Sequence, residues 1–268
     1  MELKRAPETP GSQRRLRQLA MAAALIVVAI FAYFQISDYL LGRELIKESA
    51  DLVPSKPALL NYANALGASA FRANCASCHG ADLKGSQAKG VPNLSDSIWL
   101  YDFGRVSDIE RTILYGIRSG MGKSHNVTDM PALGRQKAIS PADISDVLVY
   151  VRMLTGRQGD PAAAQRGEAI FQDKGVCYDC HSRDGTGISD YGAPNLIDDD
   201  WLYGGDDGTF YKTVYDGRHG VCPGWIGKLP FPTIRAIAVY IHSMSKESPD
   251  VPKGDTAGDA LPAKGTSG

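Results

Sequence analysis

The sequence lacks an excess of charge of either sign: 29 Lys and Arg residues stand against 30 Asp and Glu residues, which gives a formal net charge of −1. This balance excludes a strongly basic nucleic-acid-binding protein, and no nucleic-acid partner is expected. Strand-like alternation of apolar and polar residues is also nearly absent, which predicts an all-α fold. Only one apolar run is long enough to cross a bilayer, so the sequence predicts a single membrane span.

Cysteine is scarce, and its distribution is informative. Four of the five cysteines lie in two C-x-x-C-H motifs, Cys75-Ala-Ser-Cys78-His79 and Cys177-Tyr-Asp-Cys180-His181. In such a motif both thiols bind a haem covalently, and the His supplies the proximal iron ligand. A structural zinc site would need four converging ligands, and a thioredoxin-like thiol pair would follow a strand of a βαβ unit. The motifs therefore favour two covalently bound haems c.

The two motifs lie within an internal repeat, in which Cys177 follows Cys75 by 102 positions. Similar offsets relate Pro92-Asn-Leu to Pro194-Asn-Leu, Trp99-Leu-Tyr to Trp201-Leu-Tyr, and the pair Gly67 and Phe71 to the pair Gly167 and Phe171. Such a repeat indicates two duplicated domains. Each domain is predicted to close with an amphipathic helix, because apolar residues recur at i, i+3, i+4 and i+7 from Ile144 and again from Ile234.

The repeat and the apolar run divide the chain into seven segments. We predict a basic cytoplasmic segment at 1–18, a transmembrane anchor at 19–41, a stalk at 42–63, a first domain at 64–156, a linker at 157–165, a second domain at 166–246 and a disordered tail at 247–268.

Within each repeat, the order of opening helix, C-x-x-C-H motif, Pro-Asn-Leu and closing helix resembles the class I cytochrome c domain. The resemblance implies two tandem domains of this fold behind the membrane helix. It also implies that the carbonyl of each Pro accepts a hydrogen bond from the proximal His. Pro92 would then orient His79, and Pro194 would orient His181. The alternative is that both prolines simply form turns.

The sixth iron ligand is predicted to differ between the repeats. In the first, Asp129-Met130-Pro131-Ala132 is similar to the Met-Pro ligand loop of cytochromes c, and Met130 is the predicted ligand of the first haem. In the second repeat, Cys222 occupies the position that corresponds to the ligand in that loop. Three alternatives remain open there: a Cys222 thiolate, bis-His ligation through His219, or a haem that is five-coordinate or recruits Met244.

The apolar run indicates where the protein resides. Leu19 to Ile36 is an 18-residue stretch without charge, just long enough to cross a bilayer. Basic residues precede it, so the positive-inside rule predicts a cytoplasmic N-terminus and periplasmic haem domains on a bacterial inner membrane. A cleaved signal peptide is the alternative. It is disfavoured because Gln35-Ile-Ser-Asp-Tyr, rather than a small-x-small site, follows the run.

Four longer sequence motifs resemble those of the diheme subunit III (CcoP/FixP) of cbb3-type cytochrome c oxidases. They are Pro92-Asn-Leu-Ser-Asp-Ser-Ile-Trp-Leu-Tyr, Tyr115-Gly-Ile-Arg-Ser-Gly, Met130-Pro-Ala-Leu-Gly-Arg and Ala193-Pro-Asn-Leu-Ile-Asp-Asp-Asp-Trp-Leu-Tyr-Gly-Gly. The resemblance implies electron transfer from soluble cytochrome c, or from a quinol-oxidising complex, towards a haem–copper catalytic subunit, with a monohaem cytochrome c subunit as a further partner. The family carries Met-Pro-Ala-Trp where this chain has Cys222-Pro-Gly-Trp.

An electron-transfer subunit would have no catalytic residues of its own, since the haems carry the electrons. Two functions from other classes remain as alternatives. A diheme enzyme that oxidises thiosulfate would use a His/Cys-ligated haem, with Cys222 and His181 framing its site. A redox or gas sensor would use ligand exchange at the second haem.

Overall fold

The computed structural model describes residues 10–126, 128–173 and 176–246. It confirms the all-α prediction over these residues, in which extended segments pair only as isolated bridges. The helices are α1 (Pro10–Lys47), α2 (Pro57–Asn74), α3 (Ala76–His79), α4 (Val106–Tyr115), α5 (Pro141–Leu154), α6 (Pro161–Phe171), α7 (Tyr178–His181), α8 (Asp207–Asp216) and α9 (Phe231–Met244). Three 3₁₀ turns accompany them, at Ala50–Ser55, Gln87–Lys89 and Ser189–Tyr191. The predicted tail at 247–268 lies outside the described residues.

Helix α1 is the one described helix long and apolar enough to cross a membrane, over Arg17–Lys47. None of the side chains in its most apolar window is buried by the rest of the protein. A helix that is apolar on all sides and unpacked needs an apolar solvent around it. Its last turn is different, because Leu45 is fully buried against the globular part.

The segment predicted as a stalk, 42–63, forms part of the folded core. It comprises the end of α1, the 3₁₀ turn at Ala50–Ser55 and the first turns of α2. Within it, Val53 and Ala63 are fully buried. The membrane helix is therefore joined to the globular part through packed structure.

Polar caps set where several helices begin. At α5, the Ser140 hydroxyl accepts a hydrogen bond from the Asp143 N–H, and the Asp143 carboxylate accepts one from the Ser140 N–H. This reciprocal capping satisfies two N–H groups that have no partner within the helix. Asp160 and Asp206 cap α6 and α8 through their carboxylates.

The closing helix of each repeat packs on the opening helix of the other repeat. Helix α9 lies against α2 and α4, and α5 lies against α6 and α8. The rings of Phe71 and Tyr240 are 5.7 Å apart, and those of Tyr150 and Phe171 are 5.3 Å apart. The sequence predicts that each domain closes with its own last helix, whereas the packing exchanges the two helices.

A short connection explains the exchange. Helix α5 ends at Leu154 and α6 begins at Pro161, so most of the segment predicted as a linker, 157–165, is the start of a helix. Helices joined by so few residues fold back on one another as an antiparallel pair. The side chain of Arg166 fastens this pair by donating twice to the carboxylate of Asp146, at 2.7 and 2.8 Å.

The exchange produces two packing units, each with residues from both repeats. The anchor unit comprises the end of α1 with α2, α3, α4 and α9, and its fully buried members include Phe71, Ile234 and Ile237. The distal unit comprises α5, α6, α7 and α8 around Phe171 and Ile144. The sequence repeats and the packing units therefore do not coincide.

Both helix crossings depend on glycine. A Cβ built on Gly167 would lie 2.1 Å from the carbonyl oxygen of Asp146, and one on Gly67 would lie 2.1 Å from that of Ala236. Both distances are far below van der Waals contact, and the obstacle in each case is backbone. Only glycine lets these helix axes approach so closely.

We expect Gly167→Ala to lower the free energy of unfolding by about 1–3 kcal/mol, because α5 and α6 must separate to admit the methyl group. Gly122→Ala is the matched control, since a Cβ there meets nothing within 4 Å, and it should change stability by less than about 0.5 kcal/mol. Chemical denaturation of the detergent-solubilised protein, followed by circular dichroism, measures both. Equal stability of the two variants would contradict the close crossing.

Candidate functional site

The first C-x-x-C-H motif follows α2 without a break. Cys75 caps the end of α2 by donating its N–H to the Phe71 carbonyl at 2.8 Å, and its own carbonyl accepts from the His79 N–H at 3.0 Å. This turn is α3, and it brings Cys75, Cys78 and His79 together in one short helical segment. None of the five cysteines pairs in a disulfide.

Each motif His is oriented by a proline carbonyl. His79 Nδ1 lies 3.4 Å from the Pro92 carbonyl oxygen, and His181 Nδ1 lies 3.0 Å from that of Pro194. A carbonyl can only accept, so Nδ1 carries the proton in both rings and Nε2 keeps its lone pair. Burial lowers the pKa of both imidazoles, against the opposing effect of the proline carbonyls. Both rings are thus neutral, and the Nε2 lone pair of each is free to bind a metal.

The donor set fits covalently bound haem c. Each motif offers two thiols, three residues apart, next to a neutral imidazole with a free Nε2, and this set supplies two attachment points and one iron ligand. Burial raises the pKa of Cys75 to about 11 and that of Cys177 to about 12. Over the described residues, no three His, Cys, Asp or Glu side chains converge as a zinc site would need.

The Cys222 loop of the second repeat lies in the anchor unit. Cys222 exchanges two backbone hydrogen bonds with Ile117, at 2.9 and 3.0 Å, just beyond the end of α4. Three residues later, the Trp225 N–H reaches the carbonyls of Ile113 and Leu114, and the indole packs on the anchor core. Burial raises the pKa of the Cys222 thiol, and the Cys78 thiol adds to this shift.

The Met130 loop of the first repeat lies in the distal unit. Met130 exchanges two backbone hydrogen bonds with Arg218, at 2.8 and 3.1 Å, just beyond the end of α8. Its side chain packs against the core that contains Cys177 and Leu196. The next residues continue this arrangement, since Leu133 is buried in the same core. The two loops thus exchange places together with the closing helices.

The two other candidates for the sixth ligand lie on the surface. The side chain of His219 is 61% exposed, and its Nδ1 is 2.8 Å from the Asp129 carboxylate. Met244 is 47% exposed at the end of α9. Neither residue is packed into the core that holds a C-x-x-C-H motif.

Two tyrosines at the boundary between the units were not singled out from the sequence as site residues. A Cβ on Gly90 would lie 2.1 Å from the Tyr203 ring, and one on Gly192 would lie 2.1 Å from the Tyr101 ring. The two tyrosines occupy equivalent repeat positions, so each unit presses one aromatic ring onto the haem-motif loop of the other. The repeated Trp-Leu-Tyr motif was the sequence feature that could have identified these two tyrosines.

Two arginines, Arg118 and Arg218, join these rings to the exchanged loops. Arg118 donates to the Tyr101 hydroxyl at 3.1 Å and to the carbonyls of Gly220 at 2.6 Å and Thr128 at 2.9 Å. The guanidinium of Arg218 lies 3.9 Å above the Tyr203 ring. One charged side chain therefore joins segments from both ligand loops.

The helical fold, the two C-x-x-C-H turns and the proline-oriented imidazoles define a tandem c-type cytochrome behind an apolar helix. Comparison with known families agrees. The family "Cytochrome c" matches residues 64–155. The family "Cytochrome C oxidase, cbb3-type, subunit III" matches residues 162–241.

Curated relatives identify the family. The chain is 44% identical over 195 residues to the cbb3-type cytochrome c oxidase subunit FixP of Bradyrhizobium sp. (strain ORS 278), covering 72% of this chain and 64% of that protein. It is 39% identical over 202 residues to the subunit CcoP of Cereibacter sphaeroides, covering 75% and 68%. For the subunit CcoP of Rhodobacter capsulatus it is 38% identical over 217 residues, covering 78% and 70%. The chain belongs to the CcoP/FixP family, and it spans about two thirds of the length of these relatives.

Proposed function

We propose that this chain is a membrane-anchored diheme electron-transfer subunit of a cbb3-type oxidase. The observation that carries the proposal is the same in both units: two cysteines of a C-x-x-C-H turn precede a His whose Nδ1 is held by a proline carbonyl. The names of the relatives supply the complex to which such a subunit would belong.

The residues of the chain would hold and tune the two haems. Cys75 and Cys78 would attach one haem and Cys177 and Cys180 the other, with the adjacent His of each motif as proximal ligand. When bound, haem c supplies reversible one-electron exchange at iron. The Nδ1–H bond to Pro92 or Pro194 fixes the ring plane and makes Nε2 a stronger donor.

The anchor and partners follow from this role. Arg14, Arg15 and Arg17 stand at the N-terminal end of the apolar helix, which favours a cytoplasmic N-terminus and periplasmic haem units on a bacterial inner membrane. Electrons would arrive from soluble cytochrome c or from a quinol-oxidising complex. They would leave towards the haem–copper catalytic subunit, beside a monohaem cytochrome c subunit.

Purification of the tagged chain in mild detergent from its own membranes tests this proposal. We expect two haems c per chain, together with haem b, a multi-spanning subunit and oxygen uptake in the same fraction. Cys75→Ser with Cys78→Ser should halve the haem c content, and Ser86→Ala should leave it unchanged as a control. A chain that purifies alone and is reduced by thiosulfate would favour the sulfur-oxidising alternative instead.

A further inference from the structure

We propose that Asp102 and His125 form a redox-linked proton site, which takes up a proton from water when the haem of the first C-x-x-C-H motif is reduced and releases it when that haem is oxidised. The inference rests on the proposed function, since it presupposes a haem at that motif. One electron arrives at the iron from the donor and one proton arrives at the pair from solvent, and both leave again on oxidation.

An inserted segment between α4 and the Met130 loop carries a buried histidine. Gly116 and Met130 are 14 positions apart, whereas their counterparts in the second repeat, Gly217 and Cys222, are five positions apart. Within the longer segment, His125 is only 7% exposed. Its backbone N–H donates to the Gly116 carbonyl at 3.1 Å, which fixes it beside the end of α4. The second repeat therefore has no counterpart of this histidine.

Three side chains surround the imidazole of His125. Its ring stacks on that of Tyr101, with the centroids 4.3 Å apart. Its Nε2 lies 3.2 Å from the Thr112 hydroxyl oxygen and 3.6 Å from Oδ2 of Asp102. A hydroxyl can accept from an Nε2–H or donate to a bare Nε2, so Thr112 can serve both protonation states of the ring. The His rings of the two haem motifs face carbonyls instead, which can only accept.

The carboxylate of Asp102 is buried without a donor. Its Oδ2 accepts no hydrogen bond from any described residue, and a buried oxygen without a donor is unfavourable in its ionised form. Asp102 also has a φ of +57°, in the left-handed region that favours glycine. The equivalent residue of the second repeat is Gly204, with a φ of +107°. The first repeat thus has a carboxylate where glycine would fit without strain, and this carboxylate faces the inserted histidine.

The charged groups near the pair come from the loop before α4, from α4 itself and from the inserted segment. They are Arg105, Asp108, Arg111 and Arg118. Arg111 Nη1 lies 3.9 Å from Oδ2 of Asp102. Arg118 donates to the hydroxyl of the tyrosine ring that stacks on His125. None of these cations donates a hydrogen bond to that carboxylate oxygen, which leaves it free to take up a proton.

Burial moves the pKa values of the two groups towards one another. It raises the pKa of Asp102, and Asp108 adds to this shift, against the opposing effect of His125, Arg111 and Arg105. It lowers the pKa of His125, and Arg111 adds to this shift, against the opposing effect of the two carboxylates. The shifts start from ordinary values of about 3.9 and 6.5, so the pair gains its proton in the mildly acidic range. The Asp102 side chain is 25% exposed, which gives the proton a route from solvent.

The charge of the haem acts on the pair because the first motif and α4 belong to the same packing unit. A folded unit of about 100 residues has a radius of gyration of about 13 Å. At that distance and an effective dielectric constant of about 20, one charge changes a proton affinity roughly tenfold. Reduction removes one positive charge from the iron, so the pair binds its proton more tightly in the ferrous protein. By linkage, a tenfold difference makes the reduction potential about 59 mV higher at acidic than at alkaline pH.

Redox titration of the full-length protein in detergent at a series of pH values tests the site. We expect one haem wave to fall by about 59 mV as the pH rises from about 4 to about 8. The fall should vanish when Asp102→Asn and His125→Gln are combined. Asp82→Asn changes an exposed carboxylate of the same unit and should keep it. A fall that persists in full in the double variant belongs to another group, such as a haem carboxylate, and overturns the proposal.

A measurement on the unmodified protein covers the case in which the double variant does not fold. On reduction in weakly buffered solution, an indicator dye should report the uptake of a fraction of a proton per electron, largest in the mildly acidic range. No uptake at any pH in that range overturns the proton site. Two haems c with potentials independent of pH would refute the proton site alone, whereas absence of haem at the first motif would refute the proposed function.

Discussion

Cys222→Met is expected to raise the reduction potential of one haem by hundreds of millivolts and to leave the other unchanged. Replacing an anionic thiolate by a neutral thioether removes a ligand that favours ferric iron, and axial ligands set haem potentials over about 0.8 V. In a spectroelectrochemical titration of the diheme protein, the low-potential wave should move up towards the second wave. Because Cys222 is held in the anchor unit, the wave that moves should belong to the haem at Cys75 and Cys78.

The neighbouring Val221→Ala is the matched control for this shift, since the Val221 side chain is 59% exposed and both waves should stay in place. Met130→Leu is the reciprocal change, and it should lower the high-potential wave or open that haem to carbon monoxide. Two waves that do not respond to Cys222→Met would show that its sulfur does not bind iron. His219 would then be tested in the same titration.

The helices of this protein could be predicted from its sequence, whereas their partners could not. The spacing of apolar residues from Ile144 and from Ile234 predicts helices α5 and α9. The capping ability of Ser140 and Asp143 predicts where α5 begins. The repeats are alike, however, so α5 and α9 present the same kind of apolar face, and both opening helices present Gly and Phe at the same spacing. Periodicity cannot decide which face meets which. The short connection between Leu154 and Pro161 was the one sequence feature that could have indicated that α5 packs on α6.

Part of the candidate site could likewise be predicted from the sequence, and part could not. The two motifs were found from residue spacing, and the resemblance to class I cytochromes c supplied the role of the two prolines and the positions of the two ligand loops. The unit in which each loop packs depends on the exchanged helices. Sequence order alone would place the Met130 loop in the anchor unit and the Cys222 loop in the distal unit, whereas they pack the other way round. The contact between Arg118 and both loops was also out of reach, because Gly220 and Thr128 meet it only through the tertiary fold.

A buried ion pair joins the membrane helix to the anchor unit. Arg235 of α9 donates to both carboxylate oxygens of Glu110 on α4, at 2.6 and 3.1 Å. It also donates to the carbonyls of Leu45 and Glu48 at the end of α1, at 3.1 and 2.6 Å. Both charged residues are buried. One guanidinium therefore satisfies carbonyls that the end of α1 leaves unpaired and fixes α1 to α4 and α9.

Glu110→Leu is expected to lower the free energy of unfolding by about 3–5 kcal/mol, because it leaves the Arg235 charge buried without its counter-ion. Arg135→Ala removes a partner of Asp216 from an exposed ion pair and should change the free energy of unfolding far less, because water screens such a pair. Chemical denaturation of the detergent-solubilised protein measures both variants.

Adding Arg235→Leu to Glu110→Leu should recover part of the loss, since two apolar side chains leave no buried charge. Recovery should remain incomplete, because the carbonyls of Leu45 and Glu48 lose their donor. The double variant should therefore also loosen the end of α1, seen as faster amide exchange over 42–48 than in the parent protein. A Glu110→Leu protein as stable as Arg135→Ala would show that the pair does not hold α1, α4 and α9 together.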